Sequence, residues 1–426
     1  MMRVLSDTTW SPRKIWNCFD IVNGATPASG TAHFWDGEIS WVGPADLGKL
    51  SSRVVSRGER NLTESGYKNC GTTFVPAGTI ILSARAPIGH VAVAANRLCF
   101  NQGCKGLVPN SDIFGEFAYW LILALKPKLE AAGQGTTFVE LSRSKLKDVT
   151  FLLPPLPEQR AIAAFLDGKC ATIDEAVRIK EEQIRLLAER RQILIQQAVT
   201  RGLNPDAPMK NSGIDWIGQI PAHWEVKRFK SVATAFGRIG FRGYSTTDLV
   251  NKGEGAVTLS PSNLSDGLMQ FEKCSYISWK KYQESPEIQV EEGDVLVVKT
   301  GSTFGKTGFV RKLPEPATIN PQLVVLKNIK CDSEFLYHLI SSPQFQAEVK
   351  RRVIGSTIPT MSESRLLGID LQIPPRDEQN EIIDHIAAVS GQIDAVIALK
   401  ESQITALREY KTSLINAAVT GKIKVL

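Results

Sequence analysis

Gly301-Ser302-Thr303-Phe304-Gly305-Lys306-Thr307 comes nearest in this chain to a catalytic motif. Glycines followed by Lys-Thr suit a nucleotide: backbone N–H groups wrap the phosphates, the lysine reaches their oxygens and the hydroxyl holds magnesium. The spacing is one residue short, because the nucleotide motif G-x-x-x-x-G-K-[ST] sets its glycines further apart. A parallel stretch, Arg85-Ala86-Pro87-Ile88-Gly89-His90-Val91, carries His-Val where such a loop needs Lys-Thr. Other reaction signatures are missing: no Gly-rich dinucleotide fingerprint, no G-x-S-x-G elbow, no H-E-x-x-H helix and no acidic pair spaced for hydrolysis. Asn320-Pro321-Gln322-Leu323 opens like the Asp/Asn-Pro-Pro-aromatic tetrapeptide of an amino-methyltransferase and departs at its third residue. The five histidines are scattered, and the seven cysteines (Cys18, Cys70, Cys99, Cys104, Cys170, Cys274, Cys331) include no C-x-x-C pair. Neither a metal site nor a disulfide framework is expected from them. The reading is a chain with no catalytic centre, metal or cofactor; a nucleotide enzyme built on Lys306 is the competing one.

Residues suited to holding DNA are easier to find. Arg85 and His90 fall on or beside one expected loop, and Lys299, Ser302 and Lys306 on its counterpart. Gly135-Thr136-Thr137 and Gly355-Ser356-Thr357 form a second pair of turns that offer Thr136, Thr137, Ser356 and Thr357 as hydroxyl contacts. Lys227, Arg228, Lys230, Arg238 and Arg242 are interleaved with Phe229, Phe236, Phe241 and Tyr244, a pattern that suits phosphates and serves equally as a solvated strand edge. Loops held by strands are where base edges can be read. With 50 Lys and Arg against 44 Asp and Glu, the net charge of +6 permits a polyanionic partner without requiring one.

The elements that position these loops come in two copies. Pro154-Pro155-Leu156-Pro157-Glu158-Gln159 opens a helical pattern that runs to about Thr200, and Pro374-Pro375-Arg376-Asp377-Glu378-Gln379 opens the same pattern 220 residues later. That offset carries Ile173-Asp174 to Ile393-Asp394, Lys180-Glu181 to Lys400-Glu401 and Ala198-Val199-Thr200 to Ala418-Val419-Thr420 without a gap. Leu166, Ile173, Leu187 and Leu194 fall on one heptad row, and Val177, Ile184 and Ala198 on the other. The second copy repeats the seam with Ile386, Ile393, Leu407 and Leu414, and with Ile397, Ile404 and Ala418. A helix of about 40 residues would be about 60 Å long, which suits a rod that holds things apart. Gly168 and Gly391 near the starts suggest a kink or a late beginning.

Ahead of each helix lies a unit of strands and short helices with landmarks in the same order, and the stretch 204–215 reads as a linker. Four segments follow: 1–153, 154–203, 204–373 and 374–426. A composition of 43% hydrophobic and 22% charged residues is ordinary for a globular protein. No apolar run long enough for a membrane span stands out, and a polar start follows Met1-Met2-Arg3. A cytoplasmic chain is expected.

The arrangement resembles the specificity subunit of type I restriction-modification systems. The resemblance is carried by the two Pro-Glu-Gln openers, the Ile-Asp and Lys-Glu repeats, the Ala-Val-Thr ends and the two Gly-Thr-type turns. Ser212-Gly213-Ile214-Asp215-Trp216-Ile217-Gly218, leading to Ile220-Pro221-Ala222-His223-Trp224, fits as well. What it implies is an α+β architecture of two target recognition domains and two long antiparallel coiled-coil helices with pseudo-two-fold symmetry. Each domain would read one half of a bipartite, asymmetric double-stranded DNA site. Two S-adenosylmethionine-binding methyltransferase subunits that modify adenine N6 would dock, and translocase-nuclease subunits would complete the restriction complex. From the residues alone, a stand-alone bivalent DNA-binding protein stays open.

Overall fold

The computed structural model of this chain describes residues 10–85, 87–134, 139–238, 240, 243–265, 268–353 and 359–425. Thr136, Thr137, Arg242, Ser356 and Thr357 lie outside the described residues. The chain divides into two compact units, Met1–Glu181 with Glu401–Leu426, and Glu182–Lys400. Each holds a mixed α/β part and half of each long helix, which is the α+β organisation expected from the repeat.

In the first unit, five strands lie in the order Phe19–Asn23, Cys104–Pro109, Ile80–Ala84, Ile88–Ala94, Val54–Val55. The first four are antiparallel neighbours, and Val54–Val55 joins parallel to Ile88–Ala94. Alternate residues of Ile80–Ala84 face opposite cores, as a pleated strand demands. Ile80 and Leu82 pack with Phe117 and Leu121 of the helix Gly115–Ala124. Ile81 packs on the other side with Ala92, Leu98 and Phe100.

The second unit repeats the first four strands as Thr234–Gly237, Leu323–Lys327, Val295–Val298, Thr307–Phe309, in the same order and with all neighbours antiparallel. The helix Ser333–Ser341 covers this sheet where Gly115–Ala124 covers the first. The remainder has diverged. A second five-stranded sheet, Leu249–Val250, Ser275–Ser278, Gly255–Leu259, Ala317–Ile319, Gln289–Val290, has its own core around Val257, Leu259 and Ile288.

Each globular part is closed where the chain enters and leaves it. Ser11–Lys14 pairs antiparallel with Thr150–Leu153, and Glu225–Arg228 with Asp370–Ile373. The exit strand runs straight into the two prolines. Pro155 and Pro375 lack an N–H but offer their carbonyls to the first helical turn, which accept from Gln159 and Gln379 at 3.0 Å.

The long helices are Leu156–Arg201 and Arg376–Val419. Both begin upstream of their glycines and run through them without a break, so the late start does not occur. Nothing lies within 4 Å of a Cβ added at Gly168 or Gly391, so both glycines face open space. Within each unit the helix halves pair antiparallel: Asp174 meets Lys411 while Lys180, further along, meets Gln403. Leu166, Ile173, Ile386, Ile393, Ile404 and Leu414 are buried in this seam, and Val177, Ile184, Leu187, Leu194, Ile397 and Leu407 are half-buried. By length and mean hydropathy of 1.5 over one window, Arg376–Val419 passes as a membrane span. The coiled-coil seam already accounts for Ile386 and Ile393 within that stretch.

Candidate nucleic-acid interface

The Glu-Gln of each opener has a physical task that the sequence reading missed. Gln159 is fully buried. Its Oε1 accepts from the Phe114 N–H at 2.7 Å, and its Nε2 donates to the carbonyls of Pro154 and Asp112 at 2.9 and 3.0 Å. Gln379 does the same in the second unit, accepting from the Asp332 N–H at 2.6 Å and donating to the Pro374 carbonyl at 2.8 Å. Beside them, the indole of Trp10 donates to Glu158 at 2.9 Å and that of Trp224 to Glu378 at 3.0 Å. His223 Nε2 adds a 2.7 Å bond to Glu378. Each long helix is thus latched to its globular part by buried and part-buried polar bonds, which are costly to leave unmade. The signal in the sequence was the Glu-Gln repeated in the two openers.

At the far end of each sheet two loops are drawn together. In the first unit Arg85 forms a backbone bridge with Glu140, and the Leu141 N–H donates to the Ala84 carbonyl at 2.8 Å. In the second, Thr300 bridges Thr360, their hydroxyls 2.8 Å apart, and the Met361 N–H donates to the Lys299 carbonyl at 3.1 Å. Arg85 and Lys299 are therefore held next to the short extended segment that carries Glu140 in one unit and Thr360 in the other. Ser302 is exposed on the adjoining loop.

Lys306 and His90 are placed differently. Lys306 lines an open cleft of about 410 Å³ with Thr303, Tyr337, Gln346 and Lys350. His90 lies on strand Ile88–Ala94 and lines a cleft of about 630 Å³ with Arg53, Lys126 and Asp167. The nucleotide reading of Gly301–Thr307 fails on its own hydrogen bonds. Phe304, Gly305 and Lys306 spend their N–H groups on the carbonyls of Gly301, Val298 and Thr303, at 2.9–3.1 Å. Thr307 spends its hydroxyl on Ser341 at 2.5 Å. A loop whose donors close on themselves cannot also wrap phosphates. Its glycines serve the turn: φ is +113° at Gly301 and +82° at Gly305.

The charges at the two loop ends differ. Lys299 forms a 2.7 Å ion pair with Glu363. Burial opposes the Glu363 charge, but the bond to Lys299 and a backbone bond outweigh it and hold the carboxyl below its ordinary range. One position shift of 220 earlier, the first unit has Arg143 in place of Glu363, followed by exposed Lys145 and Lys147 on the same short helix.

Polar ties cross the helix seam in related pairs. Lys411 reaches Asp174 at 2.7 Å and Lys180 reaches Gln403 at 2.6 Å in the first unit. Arg191 reaches Asp394 at 2.6 Å and Lys400 reaches Gln183 at 2.7 Å in the second. Moving every position by 220 converts one pair of ties into the other, so internal symmetry extends to individual bonds.

A family model for the type I restriction modification DNA specificity domain matches residues 8–185 and again 221–406. The chain belongs to this family. The two matches begin just ahead of Trp10 and Trp224, which precede the entry strands, and end within the paired helices, so each specificity domain includes its latch. Among curated relatives, the specificity subunit of the type I restriction enzyme MjaIX from Methanocaldococcus jannaschii is 26% identical over 98% of this chain and 94% of its own length. That of EcoBI from Escherichia coli is 22% identical over 75% and 68%. Two solved structures share the fold. A chain from a study of complex assembly and conformational transition of the type I R-M system superposes with a TM-score of 0.69, 16% identity and 99% of each chain covered. The HsdS subunit from Thermoanaerobacter tengcongensis gives a TM-score of 0.54 with 15% identity over 97% of each chain.

Proposed function

We propose that this chain is the DNA-reading subunit of a type I restriction-modification enzyme and performs no chemistry of its own. The two specificity domains read the halves of a bipartite, asymmetric site, one half each. The paired helices set the gap between the halves and offer their flanks to two methyltransferase subunits that carry S-adenosylmethionine; translocase-nuclease subunits join in the restriction complex. Functional boundaries fall at 1–153, 154–203, 204–373 and 374–426. DNA contacts come from the loops that carry Arg85, Thr136, Thr137, Lys299, Ser302, Ser356 and Thr357, with His90, Arg242 and Lys306 as flanking contacts.

The observation that carries this reading is the occurrence of two specificity domains in one chain, each with the same latch onto its own helix. A shared scaffold with diverged loops is what two readers of unlike sequences require. Methylation profiling of cells with and without the chain, in the presence of its methyltransferase, tests it. The expected result is a split motif with adenine methylation that disappears on deletion. Lengthening both helices by one turn shifts the gap and leaves the half-sites unchanged. A split site bound tightly by the chain alone, with no methylation anywhere, would instead mark a stand-alone bivalent DNA-binding protein.

A further inference from the structure

The first sheet holds a charge that no described residue answers. Lys105 lies on Cys104–Pro109, paired in register with Leu82 on one neighbour and Asn23 on the other. A cross-strand partner and a residue two along share a face, so the stem of Lys105 runs beside Leu82 and Leu107, both fully buried. Lys105 itself is only 7% exposed. Among the described residues its ammonium forms no hydrogen bond and no ion pair. Burial pushes its ammonium below the ordinary lysine range; Glu140 opposes that, and nearby Arg85 and Arg143 add to it. The Arg85 guanidinium lies over the backbone at Gly103, where an added Cβ would come within 2.7 Å of its Nε.

Nothing in the sheet requires a lysine there. The backbone bond between Ala84 and Leu141 is repeated by that between Lys299 and Met361. Leu82 therefore corresponds to Val297, whose register partner is Val324. Val324 is 1% exposed in the core of the second unit. The same scaffold position is thus apolar in one copy and cationic in the other. In the second unit Lys299 lies beside this spot and is paired with Glu363; both would meet a Cβ added at Gly237, the other register partner of Val324. The first unit has Arg143 at the position of Glu363, so its cation has no such partner.

A lysine whose stem is packed in a core and whose partly desolvated ammonium has no ion-pair partner gains little in the free protein and is kept where it acts on something else. We propose that Lys105, with Arg85 beside it, is a base-reading donor of the first unit and takes the two acceptors, O6 and N7, on the major-groove edge of guanine. An ammonium has donors only, and that edge offers two adjacent acceptors. The packed stem fixes where the ammonium emerges, which a base contact needs and a phosphate contact does not. The assignment rests on the chain being a DNA-reading subunit.

The test is Lys105→Met in the full chain, read in two ways. Methylation profiling with the methyltransferase present should show one half-site becoming degenerate at a guanine, with about ten- to hundred-fold less discrimination there, and the other half-site unchanged. Melting of the purified chain without DNA should rise, because the variant removes a partly desolvated charge that has no ion-pair partner and keeps the volume. Two unchanged half-sites would overturn the proposal. So would uniform weakening at all sites with a shallower salt dependence, which marks a phosphate contact, and so would a lower melting temperature, which marks a lysine satisfied within the fold. If the unaltered chain directs no split motif, the DNA-reading proposal itself fails and the rise in melting temperature still stands or falls alone.

Discussion

The loop ends of the two sheets are built on one scaffold and carry opposite electrostatic designs. In the second unit a lysine at the strand end is answered by Glu363, and the hydroxyls of Thr300 and Thr360 bond to each other. In the first, Arg85 and Arg143 stand near an unanswered Lys105, with Glu140 as the nearby carboxylate. The strand order, the covering helix and the Gln latch are shared because apolar packing and buried hydrogen bonds constrain them in both copies. Side chains at the loop ends are free of that constraint and differ between the units.

If the shared scaffold is energetically equivalent in the two units, truncations at matched positions should cost the same. Leu166→Ala and Ile386→Ala each remove a buried seam residue and should destabilise by about 2–5 kcal/mol. Gln159→Ala and Gln379→Ala should cost about 2–3 kcal/mol each, because each strands a buried N–H and at least one carbonyl. Denaturant unfolding of the four single variants checks this. Unequal losses within a matched pair would show that one copy depends less on its helix than the other.

This equivalence explains what could be read in advance. The helices, their seam and the symmetry between the copies were legible because heptad spacing and a constant offset are properties of the sequence alone. The latch was visible only as a signature: Glu158, Gln159 and their counterparts stood out by repetition, but their partners Phe114, Asp112 and Trp10 lie far off in sequence. Lys105 was not legible. It sits in a strand whose other residues read as core, and only the register that places Val324 at the same spot reveals it as an exception. The nucleotide motif around Lys306 could be discounted on its spacing, and the structure adds what a motif does not report, where its N–H groups point.

Turning the second loop end into a copy of the first should sharpen the contrast. Glu363→Gln removes the carboxylate that answers Lys299 and keeps the side-chain volume. Lys299 is 20% exposed and Glu363 34%, so water already screens much of the pair, and the stability loss should be no more than about 1 kcal/mol. The larger consequence should appear in DNA binding: a freed lysine gives affinity that falls more steeply with salt, by about one unit of slope. An unchanged slope would mean that Lys299 does not face DNA and that only the first unit places its strand-end cation there.

The smallest effect separates a buried charge from a buried stem at Lys105. Because burial lowers its pKa in the folded state, the unfolded chain binds more protons than the folded one at pH values between the folded and unfolded pKa. Stability then rises with pH across that window. Lys105→Met has no such group, so its advantage over the unaltered chain should be full at neutral pH, where the lysine is charged in both states. It should shrink as pH climbs through the lowered pKa toward the ordinary lysine value. Paired melts from neutral to alkaline pH would show the two curves converging. Parallel curves would mean that the variant gains its stability from packing, and the first unit would then differ from the second in shape rather than in charge.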